Sequence, residues 1–589
     1  MASPPLGVVH MLVPPRVTAL FALVLIAGVV CGLRSGRGAG ATSSCGSVPD
    51  VVTHGPRVGA VTDTTALIWV RACQQAQVSV QYKLPSEDWS SAQMGSAALT
   101  DPALDNTAVV SLSGLSPSSE YDYRVIVESQ QPSKPLAGTF RTLYAADTQA
   151  AFSFIITSDM HYPNAPLPTT MLNTMRGRDV DFAVLAGDQF VIEQVLNKLG
   201  RCCTPQSQAD YELSYEGMYA QTAFRNFVAD TPTVMMWDDH EILNDWSQGS
   251  VAPYPWARGA FDEYAGSANP PARTAGGIHF SLRAGEVGVY VLDTRSYRSP
   301  AQAPDGPDKT MLGAEQKQDL KDWLLTSNAK FKLVVSSVMW NDFAGHTFYG
   351  ESWPVYLTER NEILDFIHDN QISGVVLTSG DEHWAGAFKL APWGIYEIAP
   401  APIGSVAING PKPSGPQVLF RLSWVSVFGL FTVDTTACPA TLTVQLVDAG
   451  NTPRYTLPLT EMDLGADYDL DTLPPCQEAK LGTDPYNPDT DADGCTDGQE
   501  LGPSAQAGGQ RNPINPWDYF NPSGDGLNRV DDILTVIQHY GLHAGDAGYD
   551  TKYDRTYLGP NMWNLGPPDG LISVSDILAI IRQFGHDCA

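Results

Sequence analysis

The sequence predicts a multidomain chain: an N-terminal β-sandwich, a central α/β domain, and small C-terminal calcium-loop and helical modules. Three observations lead there. Between Val51 and Thr142, short alternating apolar runs are punctuated by Gly, Pro, Ser and Asp, as in sandwiches. After Phe152, continuous apolar runs end in Asp and His and alternate with helical stretches, the pattern of an α/β domain. Beyond Leu481 the composition turns acidic and glycine-rich, and a segment then repeats itself. At 589 residues the chain exceeds what one core organises.

The first element is a targeting segment. Arg16 precedes an apolar run from Val17 to Val30, and small residues Ala39, Gly40 and Ala41 follow. Residues 1–41 therefore read as a signal peptide cut near Ala41. Membrane attachment is expected only if it stays uncleaved, since the run is borderline in length for a span. Beyond it stand Cys45, Cys73, Cys202, Cys203, Cys438, Cys476, Cys495 and Cys588, an even set that an oxidising compartment would pair. Both features predict a secreted or cell-surface protein. A formal net charge of -30 excludes nucleic acid as a partner, because counterion release needs a dense Lys/Arg surface.

The sandwich is expected over residues 45–145, on runs such as Ala66-Leu67-Ile68-Trp69-Val70 and Tyr121-Asp122-Tyr123-Arg124-Val125. Gly114-Leu115-Ser116-Pro117 leading into Tyr121 and Tyr123 resembles the strand-turn-strand of fibronectin type III domains. That likeness implies a noncatalytic companion domain.

The chemistry is expected at residues 150–460. Apolar strands there end at Asp159 and His161, at Asp188, at Asp239 and His240, and at Asp381 and His383. Ligands gather at the carboxyl ends of such strands. Taken singly, a Gly-Asp after a strand is commonplace as a turn or cap, but four such polar clusters together are not. Hard carboxylates with neutral imidazoles suit a pair of transition ions held together by a shared carboxylate. Such a centre makes hydroxide at moderate pH and neutralises a phosphoryl transition state, which predicts phosphate-ester hydrolysis.

Several blocks carry a family resemblance: Thr53-His54-Gly55-Pro56-Arg57-Val58-Gly59, Gly187-Asp188, Trp237-Asp238-Asp239-His240-Glu241-Ile242, Leu292-Asp293-Thr294-Arg295-Ser296-Tyr297-Arg298, Leu312-Gly313-Ala314-Glu315-Gln316 and Ser379-Gly380-Asp381-Glu382-His383-Trp384. They resemble the PhoD-like phosphatases and phosphodiesterases, within the calcineurin-like metallophosphoesterase superfamily. The resemblance implies a four-layer α/β sandwich whose first ligand shell is Asp159, His161, Asp188, Asp239, Asp381 and His383, with Asp188 bridging. It makes His240 the group that polarises the ester or protonates the leaving group. A guanidinium should meet the substrate phosphate; Arg225 is the first choice and Arg295 the second, the latter equally readable as an ion pair to Asp293. Many relatives carry a cysteine near the first strand end and a tyrosine after Gly-Asp, whereas this chain has Asp159-Met160-His161 and Gly187-Asp188-Gln189-Phe190-Val191. Iron, zinc and manganese therefore all stay open for the two ions, with calcium a further option at the active site.

Residues 476–502 carry Asp489, Asp491, Asp493, Asp497 and Glu500 around Gly494, the oxygen-rich alternation of calcium loops. They resemble a thrombospondin type 3 repeat. A linker over residues 503–520 leads to a duplicated segment, residues 521–589, which resembles dockerin. Its first copy offers Asn521, Ser523, Asp525 and Asp532 to calcium, while its second keeps Asp569, Gly570 and Asp576 behind Pro567 and Pro568. The likeness implies a cohesin-like or cell-surface partner, against the plainer reading of a terminal helix pair packed on its own chain. For the whole chain the competing function is a calcium-dependent adhesion or scaffold-binding protein with an inactive phosphatase-like core.

Overall fold

A computed structural model describes residues 51–588, apart from 128–135, 164–166, 202–203, 247–251, 344–350 and 409–414. The expected signal peptide, Cys45, Cys202 and Cys203 lie outside the described residues. No helix among the described residues is long and apolar enough to cross a membrane.

The N-terminal region forms two sheets. One joins Val52–Val61, Thr65–Ala72 and Thr107–Ser113; the other is built on Gln77–Lys83, Glu120–Val127 and Ala137–Arg141. Alternation sets the faces: Tyr121, Tyr123, Val125 and Val127 point inward from one strand while the residues between them are half-buried. The core of this region is continuous with that of the central domain. Trp69 is fully buried, stacks on Tyr219 at 4.6 Å between ring centroids, and donates from Nε1 to the Glu263 carbonyl at 2.8 Å. Arg57 donates to the Ala265 carbonyl at 2.8 Å, and a Cβ at Gly59 would lie 2.1 Å from the Ala268 carbonyl oxygen. The Thr53 to Gly59 block therefore serves a domain junction, where glycine is required by close approach.

The central domain has two sheets. In the first, Thr233–Met236, Phe182–Ala186 and Ala151–Thr157 run parallel, and Val427–Asp434, Thr441–Asp448 and Pro453–Thr460 extend it antiparallel. The second orders Phe280–Ala284, Val287–Val291, Phe331–Val335, Val375–Thr378, Ile395–Ala399, Ala385–Leu390 and Val418–Leu422. Its strands sort their side chains by period two. Val289, Leu333 and Val376 join a core shared with the first sheet, whereas Tyr290, Val334 and Leu377 join a second core with Leu320 and Leu364 of the helices Gly313–Thr326 and Leu357–Asp369. Burial on both faces explains why these strands read as continuous apolar runs.

The C-terminal helices Val530–Gln538 and Val574–Arg582 close a small core of Phe520, Val536, Ile572 and Ile580. Disulfides join Cys438 to Cys476 and Cys495 to Cys588, and Cys73 is also disulfide-bonded.

Candidate metal centre

Five of the six expected ligands sit in the left-handed backbone region: Asp159 (φ 58°), His161 (50°), Asp188 (57°), Asp381 (70°) and His383 (55°). Asp and His tolerate that region better than most residues, and strain concentrated in one place marks a functional site. At these positions the chain leaves its strand and turns the side chain inward. Gly187 (φ 104°) makes the Asp188 turn, where a Cβ would lie 2.6 Å from Asp238 Cβ.

The turns bring the side chains together. Potential ligand atoms of Asp159, His161, Asp188 and His383 lie within 4.8 Å of one another, as do those of Asp188, Asp239 and His240, and those of Asp188, Asp238, Asp239 and Asp381. Asp188 is common to all three groups. Its Oδ2 lies 3.1 Å from His161 Nε2, and the His161 ring stands edge-on to His240 and His383 at 4.9 and 4.7 Å. Asp159 is fully buried, while the side chains of His240, Asp381 and His383 keep 15%, 19% and 24% exposure. The last three form the open side.

Electrostatics in the cluster are unfavourable without cations. Burial, reinforced by Asp239 and Asp238, lifts the Asp188 carboxyl well above the usual carboxylate range. Burial raises Asp159 to about 7. Burial, with His383 and His240 nearby, holds His161 well below its ordinary value, and burial with His240 holds His383 down at about 4. Burial also opposes charge on His240, but Asp239 and Glu193 outweigh it and lift its pKa to about 9. Neutral imidazoles beside crowded carboxylates are the donor set of a di-cation site. Asp159 Oδ1 and Asp239 Oδ1 are buried without a hydrogen-bond partner, which fits metal ligation at those atoms.

One sequence expectation is corrected, the ion pair of Arg295 with Asp293: the Arg295 side chain does not pair with Asp293, whose Oδ1 instead accepts from the Arg295 backbone at 3.1 Å. Arg295 is fully buried and donates to both oxygens of Asp238 and to Glu351, with Asp239 Oδ1 3.6 Å and Asp381 Oδ1 4.0 Å from its Nη2. Arg225, half-buried on the helix Thr222–Asp230, has His54 of the sandwich as its electrostatic neighbour, since that helix packs on the strand Val52–Val61.

Other residues at the site went unassigned in the sequence. Asp238 is one potential ligand, and Asp245 and Glu351 form a further group with Asp239. Asp245 donates its backbone N–H to Asp239 Oδ2 at 2.6 Å. Glu241, 1% exposed, accepts from the backbone N–H groups of Asp188 (3.0 Å), Gln189 (2.5 Å) and Asp238 (2.8 Å). Asp293 and Gln316 form a supporting layer: Gln316 exchanges two 2.8 Å hydrogen bonds with the Asp293 backbone, and Asp293 Oδ1 accepts from Trp237 Nε1 at 3.1 Å. The motifs around Asp293 and Gln316 thus brace the Asp239 strand.

The expected calcium residues also assemble. Asp489 accepts from the backbone of Asp493 (3.2 Å) and Gly494 (2.9 Å), Asp491 from Asp493 (3.1 Å), and Asp497 from Thr490. Glu500 is fully buried, with Arg511 Nη2 3.4 Å away. In the first duplicated copy, Asp525 N donates to Asn521 Oδ1 and Ser523 N to Asp532 Oδ1, both at 3.0 Å. The second copy is completed by Asp554, whose carboxylate accepts from Asp569 N (3.1 Å) and Gly570 N (2.8 Å). The intervening hairpin, Thr556–Tyr557 with Leu565–Gly566, hides that correspondence from the sequence.

Residues 154–414 match the family model described as PhoD-like phosphatase. The central domain is PhoD-like. Residues 50–142 match a family described only as a domain of unknown function. Alkaline phosphatase D of Bacillus subtilis is 24% identical over 330 residues, which is 50% of this chain and 56% of that protein, so the chain spans little more than half of this relative's length. A solved structure of PhoD aligns with a TM-score of 0.57 at 19% identity, covering 69% of this chain and 88% of the other. The purple acid phosphatase PPD1 from yellow lupin, Lupinus luteus, aligns with a TM-score of 0.53 at 12% identity, covering 69% and 75%. The PhoD-like domain thus has the α/β fold that both solved structures share.

Proposed function

We propose that the protein is an exported metal-dependent phosphoesterase hydrolysing phosphate monoesters, diesters or both. The observation that carries this is the position of Asp188, a donor common to three groups of ligand atoms at four strand ends. In this reading Asp159, His161, Asp188, Asp239, Asp381 and His383 would hold two ions, with Asp188 placed to serve both. When bound, the ions supply an activated water and neutralise charge on the phosphoryl group. His240 faces the open side, oriented by Glu193, whose Oε2 is 3.8 Å from Nδ1, and hands a proton to the departing alcohol. Glu241 holds the two strand ends in register. The disulfides support an oxidising compartment, and the N-terminal sandwich is read as fibronectin III-like.

A second reading concerns attachment. The two C-terminal helices expose matching apolar stripes, Val530, Leu534 and Ile537 on one and Val574, Leu578 and Ile581 on the other. Such contiguous exposed apolar surface supports docking of a cohesin-like partner, with calcium ordering the loops that carry the helices.

Turnover of p-nitrophenyl phosphate and its bis ester, after reconstitution with iron, zinc, manganese or calcium, tests the enzymatic reading. Asp188→Asn and His383→Ala should each abolish turnover while circular dichroism stays unchanged. A folded wild-type protein that binds none of these metals and cleaves neither ester would refute it and leave the adhesion reading.

A further inference from the structure

We propose that residues 467–478 form a separate calcium site, built by Asp467, Asp469, Asp471 and Glu478, ahead of the loop expected at residues 489–500.

A cryptic repeat points to it. At one constant interval Asp467 recurs as Asp489, Asp469 as Asp491, Asp471 as Asp493, Gln477 as Gln499 and Glu478 as Glu500. The backbone repeats with the sequence. Leu470 (φ 66°) and Thr472 (80°) match Ala492 (62°) and Gly494 (102°), so both segments make the same left-handed turns. Two substitutions disguise the first copy: Thr472 stands where the second has glycine, and Pro475 where it has Asp497.

The side chains converge as the spacing requires. Carboxylate oxygens of Asp467, Asp469 and Asp471 lie within 4.8 Å of one another. Glu478 is the independent observation. It is 1% exposed, its Oε1 has no hydrogen-bond partner, and its electrostatic neighbours are Asp469, Asp471, Asp497 and Asp467. Burying an unpaired carboxylate among four others is unfavourable unless a cation completes the group. Asp467 Oδ1 and Asp469 Oδ2 are likewise buried without partners. Among the described residues no Lys or Arg forms an ion pair with any of the four. The second loop differs here, since Arg511 Nη1 already lies 2.5 Å from Asp493 Oδ2.

Carboxylates at the first, third, fifth and twelfth positions of a loop, the last at the start of a helix, suit an all-oxygen calcium shell with the final Glu binding through both oxygens. Glu478 lies on such a helix, Pro475–Leu481. Calcium here would fix that helix, which Cys476 already ties to Cys438. It would also brace the second loop, because Gly498 N donates to Asp471 Oδ2 at 3.1 Å and a Cβ there would lie 1.9 Å from the Asp471 carbonyl oxygen.

Equilibrium dialysis of the chelator-treated full chain against radioactive calcium counts the ions bound. Asp469→Asn/Glu478→Gln should bind one ion fewer per chain than wild type, with turnover of p-nitrophenyl phosphate unchanged, and Asp491→Asn/Glu500→Gln should lose a different ion. An unchanged count in the folded first variant overturns the proposal. Should that variant not fold, chymotrypsin cleavage at Tyr468 and the exposed Leu470 is followed in the Asp491→Asn/Glu500→Gln background. Calcium should slow it about tenfold, and equal rates with and without calcium overturn the site.

Discussion

Glu241 Oε2 accepts the Asp188 backbone N–H at 3.0 Å, so a buried carboxylate beyond one strand clamps the end of its neighbour. The same oxygen takes the Asp238 N–H and the other takes Gln189. A glutamine has one acceptor oxygen, so at least one of these N–H groups would face an NH₂. Glu241→Gln should therefore weaken metal binding about tenfold to a hundredfold, as loss of support for a ligand does. Metal content after dialysis against graded chelator checks this, and wild-type retention would show that Glu241 only packs.

Arg295 is a buried counter-ion of the acidic cluster, paired with Asp238 and Glu351 and lying 3.6 Å from Asp239 and 4.0 Å from Asp381. Replacing it leaves Asp238 and Glu351 without their guanidinium, and a broken buried pair is destabilising by about 3 kcal/mol or more. A lysine restores charge but not the fork that meets both Asp238 oxygens. Arg295→Lys should lower the denaturation midpoint and kcat while moving KM for p-nitrophenyl phosphate less than about twofold. A large rise in KM with stability intact would instead assign it to binding the substrate phosphate.

The four strand-end clusters were legible because each follows an apolar run that only a buried parallel strand explains, and Asp159, Asp188, Asp239 and Asp381 each stand just past one. Asp245 and Glu351 were not, since they lie on loops with no periodic neighbour to place them. The ion-pair partner of Arg295 was misread because adjacency suggested Asp293, whereas the side chain crosses to another strand end. Asp554 and the loop at residues 467–478 were obscured by an inserted hairpin and by Thr472 in a glycine position. The sandwich was legible as strands, but its shared core depends on Trp69, Tyr219 and Tyr264, whose meeting is purely tertiary.

That junction should respond to pH through His54. Burial, then Arg71, lowers its pKa from 6.5 to about 4, with Arg225 adding to the effect and Asp105 opposing it. The neutral form is favoured in the folded state, so this contribution is complete above pH 6.5 and is lost as pH falls toward 4. Allowing for partial exposure, it is worth on the order of 2 kcal/mol. Urea denaturation of wild type and His54→Gln should diverge across that window, wild type falling faster with acid. Parallel curves would place His54 in an ordinary solvated setting.

The duplicated apolar stripes offer the last prediction. Leu534 and Leu578 are 49% and 47% exposed, each within a stripe on the outer face of its helix, while Val536 and Ile580 fill the core beneath. Exposed substitutions usually change stability by less than about 0.5 kcal/mol, yet apolar anchors in an interface carry much of its affinity. Leu534→Asp/Leu578→Asp should therefore leave the thermal midpoint in place and abolish capture of the full chain by immobilised cohesin domains. Capture that survives the double change would move the contact elsewhere on the module, and no capture of wild type in calcium would reduce the helix pair to a terminal cap on its own chain.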